Sequence, residues 1–477
     1  MLARRLFSSA SLPPTIRQLL ASPPPPHAAV VEVNGWIKSI RRQKKVAFAV
    51  ISDGSSDSGL QAVFSNTDLA KLLSNGASVR LRGVLTNSIG AGQAKELKVE
   101  AAEVFGDCDP EEYPLQKQAM SAEHLRNHCH LRPRTRETGS MLRLRDTTTR
   151  AMHDFFQDNG FLHIHTPIMT SSDCEGAGET FQIRPSSNAT LQSSNVKPSE
   201  YFNHPAYLTV SSQLHLEAVA AAISRVYTLS PCFRAEPSQT SRHLAEFWML
   251  EAEWAFLSSL PHLTSLVEGS IRHILRTHAD SPEMDAVWKS HPADVASARR
   301  AELHTYATSP TPWTRLTYAE AIDILAAHQT RSGAFVFAPK WGASLQSEHE
   351  RWLADGYVRG PVFVTDYPAA LKPFYMRANA GEPDRETVAC FDLLVPGLGE
   401  LVGGSLREER VGLLEAALDR HGLSREDYGW YLDLRRFGGA PHGGFGLGFE
   451  RLISWMSGIE SVRDCVAMPR WAGRILL

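Results

Sequence analysis

Between Val30 and Phe105 the chain breaks into five short β-prone runs, VVEVNGWIKSI, VAFAVISDGS, LQAVF, SVRLRGVL and ELKVEAAEV, each bounded by turn-forming residues. Strands this short and this closely spaced predict a small barrel. Basic residues crowd one hairpin of it: Lys38, Arg41, Arg42, Lys44 and Lys45 lead into Phe48. Cations beside an aromatic ring suit a single-stranded nucleic acid, with charge for phosphates and a ring for base stacking. The same residues equally describe an exposed basic turn next to a core phenylalanine.

Residues 107–138 are polar and marked by proline, with Arg126, Arg132, Arg134 and Arg136 close together, and are expected to form a hinge. From 139 to 477 long amphipathic patterns mix with strands. Leu144, Met152, Phe155 and Phe156 share one helical face that Gly160 closes, and FLHIHTPIM follows as a strand ended at Pro167. The strands do not recur as βαβ units. An α+β fold is therefore predicted, an antiparallel sheet flanked by helices behind the barrel of residues 28–106. Residues 256–360 are polar and helical with little motif content, and are expected to be scaffold or insertion.

A chain of 477 residues has material for two to four domains, and its 43% hydrophobic and 21% charged residues are ordinary globular values. No apolar run approaches the roughly 18 residues of a membrane span, so no membrane partner is expected. The net charge of -3 means that nucleic acid would be held by local patches. The six cysteines form no C-x-x-C, which favours a reducing compartment. His124, His128, Cys129 and His130 lack a second ligand pair at zinc spacing. The start is different: Arg4, Arg5, Arg17 and several serines precede the first acid, Glu32. That pattern predicts a mitochondrial transit peptide with a Pro-rich spacer over residues 1–27, and delivery to the mitochondrial matrix.

Three stretches carry chemistry: FRAEPSQTSRHLAEFWMLE (233–251), FDLLVPGLGELVGGSLREER (391–410) and HGGFGLGFERL (442–452). The first does not pair its charges every three or four residues, as a solvated helix face would. Together, with YPLQKQ, SDCEGAGETF and SSQLHLE, they resemble the signature segments of the class II aminoacyl-tRNA synthetases. Within that class the match is to the aspartate/asparagine/lysine branch, whose N-terminal OB-fold binds the anticodon. The resemblance covers essentially everything after residue 30. It implies amino-acid activation with ATP and Mg2+, and a homodimer built around the segment ending at Pro167.

Adenylate formation brings an amino-acid carboxylate against the α-phosphate of ATP, so the site needs fixed cations more than an acid or base. The resemblance implies Arg234 on the α-phosphate and the substrate carboxylate, with Glu236 near the adenine amino group and His243, aided by Arg242, at the γ-phosphate. Phe247 and Arg451 would sandwich adenine, a contact of about 1–2 kcal/mol. Asp392 and Glu400 would hold magnesium. The glycines at 443, 444, 446 and 448 would let backbone approach the nucleotide.

Relatives that activate aspartate carry a lysine in a Q-L-x-K-Q phrase, whereas this chain reads Gln213-Leu214-His215-Leu216-Glu217. Leu216 removes the partner of a substrate β-carboxylate. Glu217 would repel it by about 4 kcal/mol at 4 Å and an effective dielectric of 20, roughly a thousandfold discrimination. Arg407 would donate to the side-chain carbonyl of L-asparagine, and Glu251 is a second acid for its amide. Glu175 and Gln213 are implied at the ammonium group. The expected acceptor is tRNA(Asn), its anticodon read by Phe48, Arg41, Arg42 and Lys44. Activation of aspartate, or a noncatalytic tRNA-binding relative, is the alternative.

Overall fold

The structure, a computed structural model, describes residues 12–22, 29–88, 90, 93–116, 118–171, 179–184, 201–381 and 385–477. It divides into two compact units, Met1–Ser140 and Met141–Leu477.

In the first unit α1 (Ile16–Ala21) precedes β1 (Val30–Arg42), β2 (Ala47–Ser52) and β3 (Leu60–Phe64), then α2 (Thr67–Lys71), β4 (Ser78–Asn87) and β5 (Lys95–Gly106). The strands close into a barrel in the order β1-β2-β3-β5-β4. Alternation fills it: Leu60, Ala62 and Phe64 of β3 point inward, and the residues between them do not. Helix α1 lies within the stretch assigned above to a leader and spacer, and it is packed into this core. Thr15 and Gln18 form a capping box, and Ile16 is fully buried with Leu19 beside it. Asp53 accepts from the Ile16 amide at 2.8 Å. At the other end the buried Lys95 ammonium donates to the carbonyls of Leu19 at 2.8 Å, Leu20 at 2.9 Å and Ser22, the sign a helix C-terminus favours. Helices α3 (Ala122–Asn127) and α4 (Arg136–Asp158) follow.

The second unit continues with β6 (Leu162–His163), β7 (Met169–Thr170), β8 (Gln182–Ile183) and β9 (Ala206–Leu208), then α5 (Gln213–Ile223), β10 (Arg225–Phe233) and β11 (Glu246–Ala255). After α6 (Leu260–His278), α7 (Pro282–Trp288) and α8 (Ala293–Thr308) come β12 (Thr314–Thr317), α9 (Tyr318–Ser332), α10 (Ser347–Arg351) and β13 (Val362–Thr365). The chain ends with β14 (Cys390–Val395), β15 (Gly399–Leu406), α11 (Val411–Arg420), α12 (Gly429–Arg436), β16 (His442–Gly448) and α13 (Phe449–Ser457).

Eight of these strands form one sheet, β12-β13-β14-β15-β16-β11-β10-β6. Its centre is antiparallel, as predicted, but the edge pairs β12–β13 and β6–β10 are parallel, so the sheet is mixed. One face carries the core. Leu263, Val267 and Ile271 of α6, at four-residue spacing, pack with Leu452 of α13 and Phe156 of α4 against Leu250, Phe391, Val402 and Leu447. The opposite face is apolar at β13 and β14, where Val362, Val364, Cys390 and Leu394 pack with Tyr318 and Ile322 of α9, and polar over β11. On β11, Leu250 enters the core while Phe247, Met249, Glu251 and Glu253 line a cavity. No helix among the described residues is long and apolar enough to cross a membrane.

Candidate active site

The cavity measures about 430 Å³ and sits over β11, β14, β15 and β16. Arg234 leaves the end of β10, Arg242 and His243 follow in the loop before β11, and Arg451 stands in the first turn of α13; all four line the cavity. The Arg234 guanidinium lies 5.5 Å from the Phe247 ring centroid, and Arg451 Nη1 donates to the Glu400 carbonyl at 3.1 Å. Glu236 sits against His243, Oε2 to Nε2 at 3.3 Å. Burial lowers the Arg242 pKa, and the neighbouring charges of Arg351 and Arg451 add to that. His243 is lowered too, by burial, with Glu236 opposing and Arg451, Arg242 and Arg234 reinforcing. Arg242 Nη2 is buried with no hydrogen-bond partner among the described residues. Cations held together against their own repulsion are a preorganised anion site.

Beyond this cluster stand three acids. Asp392 Oδ1 and Glu400 Oε1 converge over Gly403, lying 3.5 and 3.4 Å from where a Cβ would stand there. Burial raises the Asp392 pKa, although Lys372 donates to both its oxygens at 3.0 and 2.8 Å. Burial also opposes the charge of Glu400, but Arg451, Lys372 and Arg234 outweigh it and the pKa is lowered. Two converging carboxylate oxygens fit a hard divalent cation. The third acid, Glu350 of α10, accepts from the Glu400 amide at 3.3 Å and is pushed up to about 7 by burial and then by Glu400. Glu350 and Arg351, in the segment expected to be scaffold or insertion, reach the edge of the site through Glu400 and Arg242. Nothing in SEHER marked them, since mixed charges on a short helix look like a solvated face.

At the other end Gln213, Ser211 and Leu216 face Glu251, Glu253 and Arg407. Arg407 is held on Glu253 through Nη2 at 2.9 Å and Nε at 3.2 Å, and on Ser405 Oγ through Nη1 at 2.7 Å. Glu251 accepts from the Ser211 hydroxyl and from the Ser212 amide at 2.8 Å, and burial raises its pKa. Glu253 was missed, although its place two residues after Glu251 puts it on the same strand face.

Glu217 is corrected: it does not line the cavity. Its oxygens are occupied by Tyr431 Oη at 2.7 Å, Arg435 Nη2 at 2.7 Å, His442 Nε2 at 3.0 Å and Gln213 Nε2 at 3.0 Å. It cannot therefore stand face to face with a substrate β-carboxylate. The glycine reading narrows as well. Gly446 and Gly448 line the cavity, but Gly444 is required by the protein itself: a Cβ there would come within 2.2 Å of the Ala252 carbonyl oxygen. Glu175 lies outside the described residues.

On the barrel Phe48 points away from the core, half-buried, with Arg41 as its cross-strand partner on β1. That removes the core-phenylalanine alternative. Lys44 is exposed in the same hairpin. Arg42 is corrected to a structural role, because its guanidinium donates to the carbonyls of Ala70, at 3.1 Å, and Leu73, at the end of α2.

Comparison with known proteins agrees with this geometry. Residues 121–472 match the family "tRNA synthetases class II (D, K and N)", and residues 31–105 match the OB-fold nucleic acid binding domain. The chain is 45% identical over 456 residues to an asparaginyl-tRNA synthetase of Mus musculus, covering 94% of this chain and 91% of that one. It is 44% identical to an asparagine–tRNA ligase of Thermosynechococcus vestitus, covering 93% and 96%. Among solved structures, the asparaginyl-tRNA synthetase of Pyrococcus horikoshii complexed with asparaginyl-adenylate superimposes with a TM-score of 0.81 at 30% identity, covering 94% of this chain and 96% of that one.

Proposed function

The chain belongs to the class II tRNA synthetases of the D, K and N group, and from that premise we propose that it is an asparagine–tRNA ligase. A carboxylate oxygen of L-asparagine attacks the α-phosphorus of ATP, the bond to the β-phosphate oxygen breaks, and asparaginyl-adenylate and pyrophosphate result. A terminal ribose hydroxyl of tRNA(Asn) then attacks the acyl carbon and AMP leaves. The observation that carries this is the partition of a single cavity: Arg234, Arg242, His243 and Arg451 at one end, and the Arg407–Glu253 pair with Gln213 and Glu251 at the other.

Both reactants are anions, so the first task of the protein is to cancel charge. Arg234 takes the α-phosphate, whose charge grows in the transition state. Arg242 and His243 take the outer phosphates, and Phe247 with Arg451 takes the base. Asp392 and Glu400 would hold Mg2+, which when bound neutralises phosphate oxygens. At the amino-acid end, Arg407 has N–H groups beyond those spent on Glu253 and Ser405, and these suit a side-chain carbonyl. Glu251 and Glu253 disfavour a carboxylate there. ATP–pyrophosphate exchange tests the reading directly: asparagine should support exchange and aspartate should not, and exchange with aspartate alone would refute it.

The barrel would bind the anticodon of tRNA(Asn) through Phe48, Arg41 and Lys44. A homodimer is supported by apolar side chains exposed around the first signature segment, Leu162 (51%), Ile168 (42%) and Met169 (54%). Sedimentation of the protein and of Met169→Asp would test it. Import of a fluorescent protein fused to residues 1–27 would test delivery to the mitochondrial matrix.

A further inference from the structure

Behind the amino-acid end of the cavity lies a buried polar cluster, Glu217, Tyr431, Arg435 and His442, none of which lines the cavity. Glu217 is its centre. Arg435 and Tyr431, one helical turn apart on α12, both reach Glu217 Oε2, and they also meet each other, Nη2 to Oη at 2.8 Å. The Arg435 guanidinium packs 4.0 Å from the Tyr431 ring centroid. Its Nε donates to the Glu408 carbonyl at 3.1 Å, one residue beyond Arg407. His442 closes the cluster, with Nε2 on Glu217 and Nδ1 2.8 Å from the Ala440 carbonyl. Glu217, Arg407, Tyr431 and Arg435 are all nearly fully buried. Burial alone would raise the Glu217 pKa, but Arg435, His442 and Arg407 hold it well below the usual carboxylate range.

The cavity side of this cluster is where it matters. Gln213 lines the cavity and donates one Nε2–H to Glu217 Oε1, which turns its NH2 toward the cluster and leaves its carbonyl oxygen as an acceptor for a ligand. Glu217 Oε1 also stands 3.8 Å from Arg407 Nε. One buried carboxylate thus decides which face of an amide is shown and steadies the neighbouring guanidinium. An acceptor at Gln213 suits the ammonium group placed there above, while Arg407, neutralised by Glu253 and steadied by Glu217, is left to donate to a side-chain carbonyl beside Glu251.

We propose that Arg435, which does not line the cavity, is a positioning residue for amino-acid choice: it anchors Glu217, and Glu217 orients Gln213 and Arg407 so that the pocket prefers an amide to a carboxylate. The proposal rests on the asparagine-ligase reading. Without Arg435, Glu217 Oε2 keeps only Tyr431 and His442 and the carboxylate can swing, so the Gln213 amide and the Arg407 guanidinium lose the fixed acceptor that orients them and the preference for an amide weakens.

The test is ATP–pyrophosphate exchange by the full chain, with KM and kcat measured separately for asparagine, aspartate and ATP in Arg435→Met, Arg435→Lys and Tyr431→Phe. In Arg435→Met the KM for asparagine should rise about tenfold or more, and the asparagine-to-aspartate ratio should fall by at least as much, with the KM for ATP within about twofold of wild type. Arg435→Lys should recover part of the ratio, and Tyr431→Phe should shift it less in the same direction. An unchanged ratio in the folded variants overturns the proposal, as does a parallel rise in both KM values, which would mark Arg435 as structural only. Should Arg435→Met fail to fold, an unchanged ratio in the other two variants overturns it equally. If the wild type itself exchanges with neither amino acid, the ligase reading fails and the proposal falls with it. If the wild type activates asparagine and the variants keep its preference, only the proposal falls.

Discussion

Replacing Ile16 by alanine should release the N-terminal helix from the barrel. Ile16 is fully buried among the barrel's core residues, whereas the neighbouring Arg17 is exposed. Truncating a buried isoleucine costs about 2–5 kcal/mol when the surroundings cannot collapse. The helix is short and separately attached, so the loss appears first as local opening, and it cannot exceed the free energy that docks the helix. At about 1.4 kcal/mol per decade, the open fraction rises between about thirtyfold and a few thousandfold. Trypsin reads this at Arg17: where the helix recloses faster than it is cut, the cleavage rate follows the open population. The masses of the products identify the site, and Leu12→Ala, at a residue 85% exposed, is the control. Cleavage at Arg17 in Ile16→Ala within threefold of wild type would refute the reasoning. The same packing predicts that a chain starting at residue 28 loses part of its barrel core, whereas one starting at residue 13 does not.

Phe48→Ala should lower aminoacylation by roughly 5- to 150-fold, from a stacking contribution of about 1–3 kcal/mol, while leaving pyrophosphate exchange unchanged; equal loss of both would assign the ring a structural role. Arg42→Ala should instead destabilise the barrel by about 1.5–3 kcal/mol through the lost charged donor to Ala70 and Leu73, read as faster amide exchange in β1 and α2. His278, buried against Thr148 and Ser281, has its pKa lowered to about 4 by burial. The unfolded chain therefore binds the proton first, so stability is full above about pH 6.5 and falls by on the order of 3 kcal/mol as the pH drops toward 4. In His278→Gln that part of the acid sensitivity should disappear from urea midpoints measured at pH 7.5 and 4.5.

Local periodicity made the barrel, the amphipathic α4 and the strand character of β11 legible, because two- and 3.6-residue repeats are properties of neighbours along the chain. The cation set of Arg234, Arg242, His243 and Arg451 was legible through its motifs. Partner choice was not. Glu217 looked like a free acid, yet its strongest partner, Arg435, is 218 residues away on a helix that carried no motif. Arg42 and Phe48 stand in one basic hairpin, and only the pairing of β1 with β2, and the nearness of the α2 end, separates a half-buried, outward-facing ring from an occupied cation. Helix α1 was hidden for a different reason: an arginine- and serine-rich, acid-free start reads as a leader whether or not its isoleucine and leucine have a core to enter. Glu350 could be found only by folding the connecting segment back over β15.

Strand β11 also works as a ruler. Phe247 and Glu253 face the same side with six residue steps between them, about 20 Å at the spacing of an extended chain. Whatever lies along that strand has both its ends set by one rigid element, so a bulkier amino acid cannot be admitted by sliding the base. Inserting a single residue between the two would turn half the wall inside out, whereas the loop from 234 to 245 has no such parity to keep. Changes in length during divergence should accordingly collect in that loop and spare the strand.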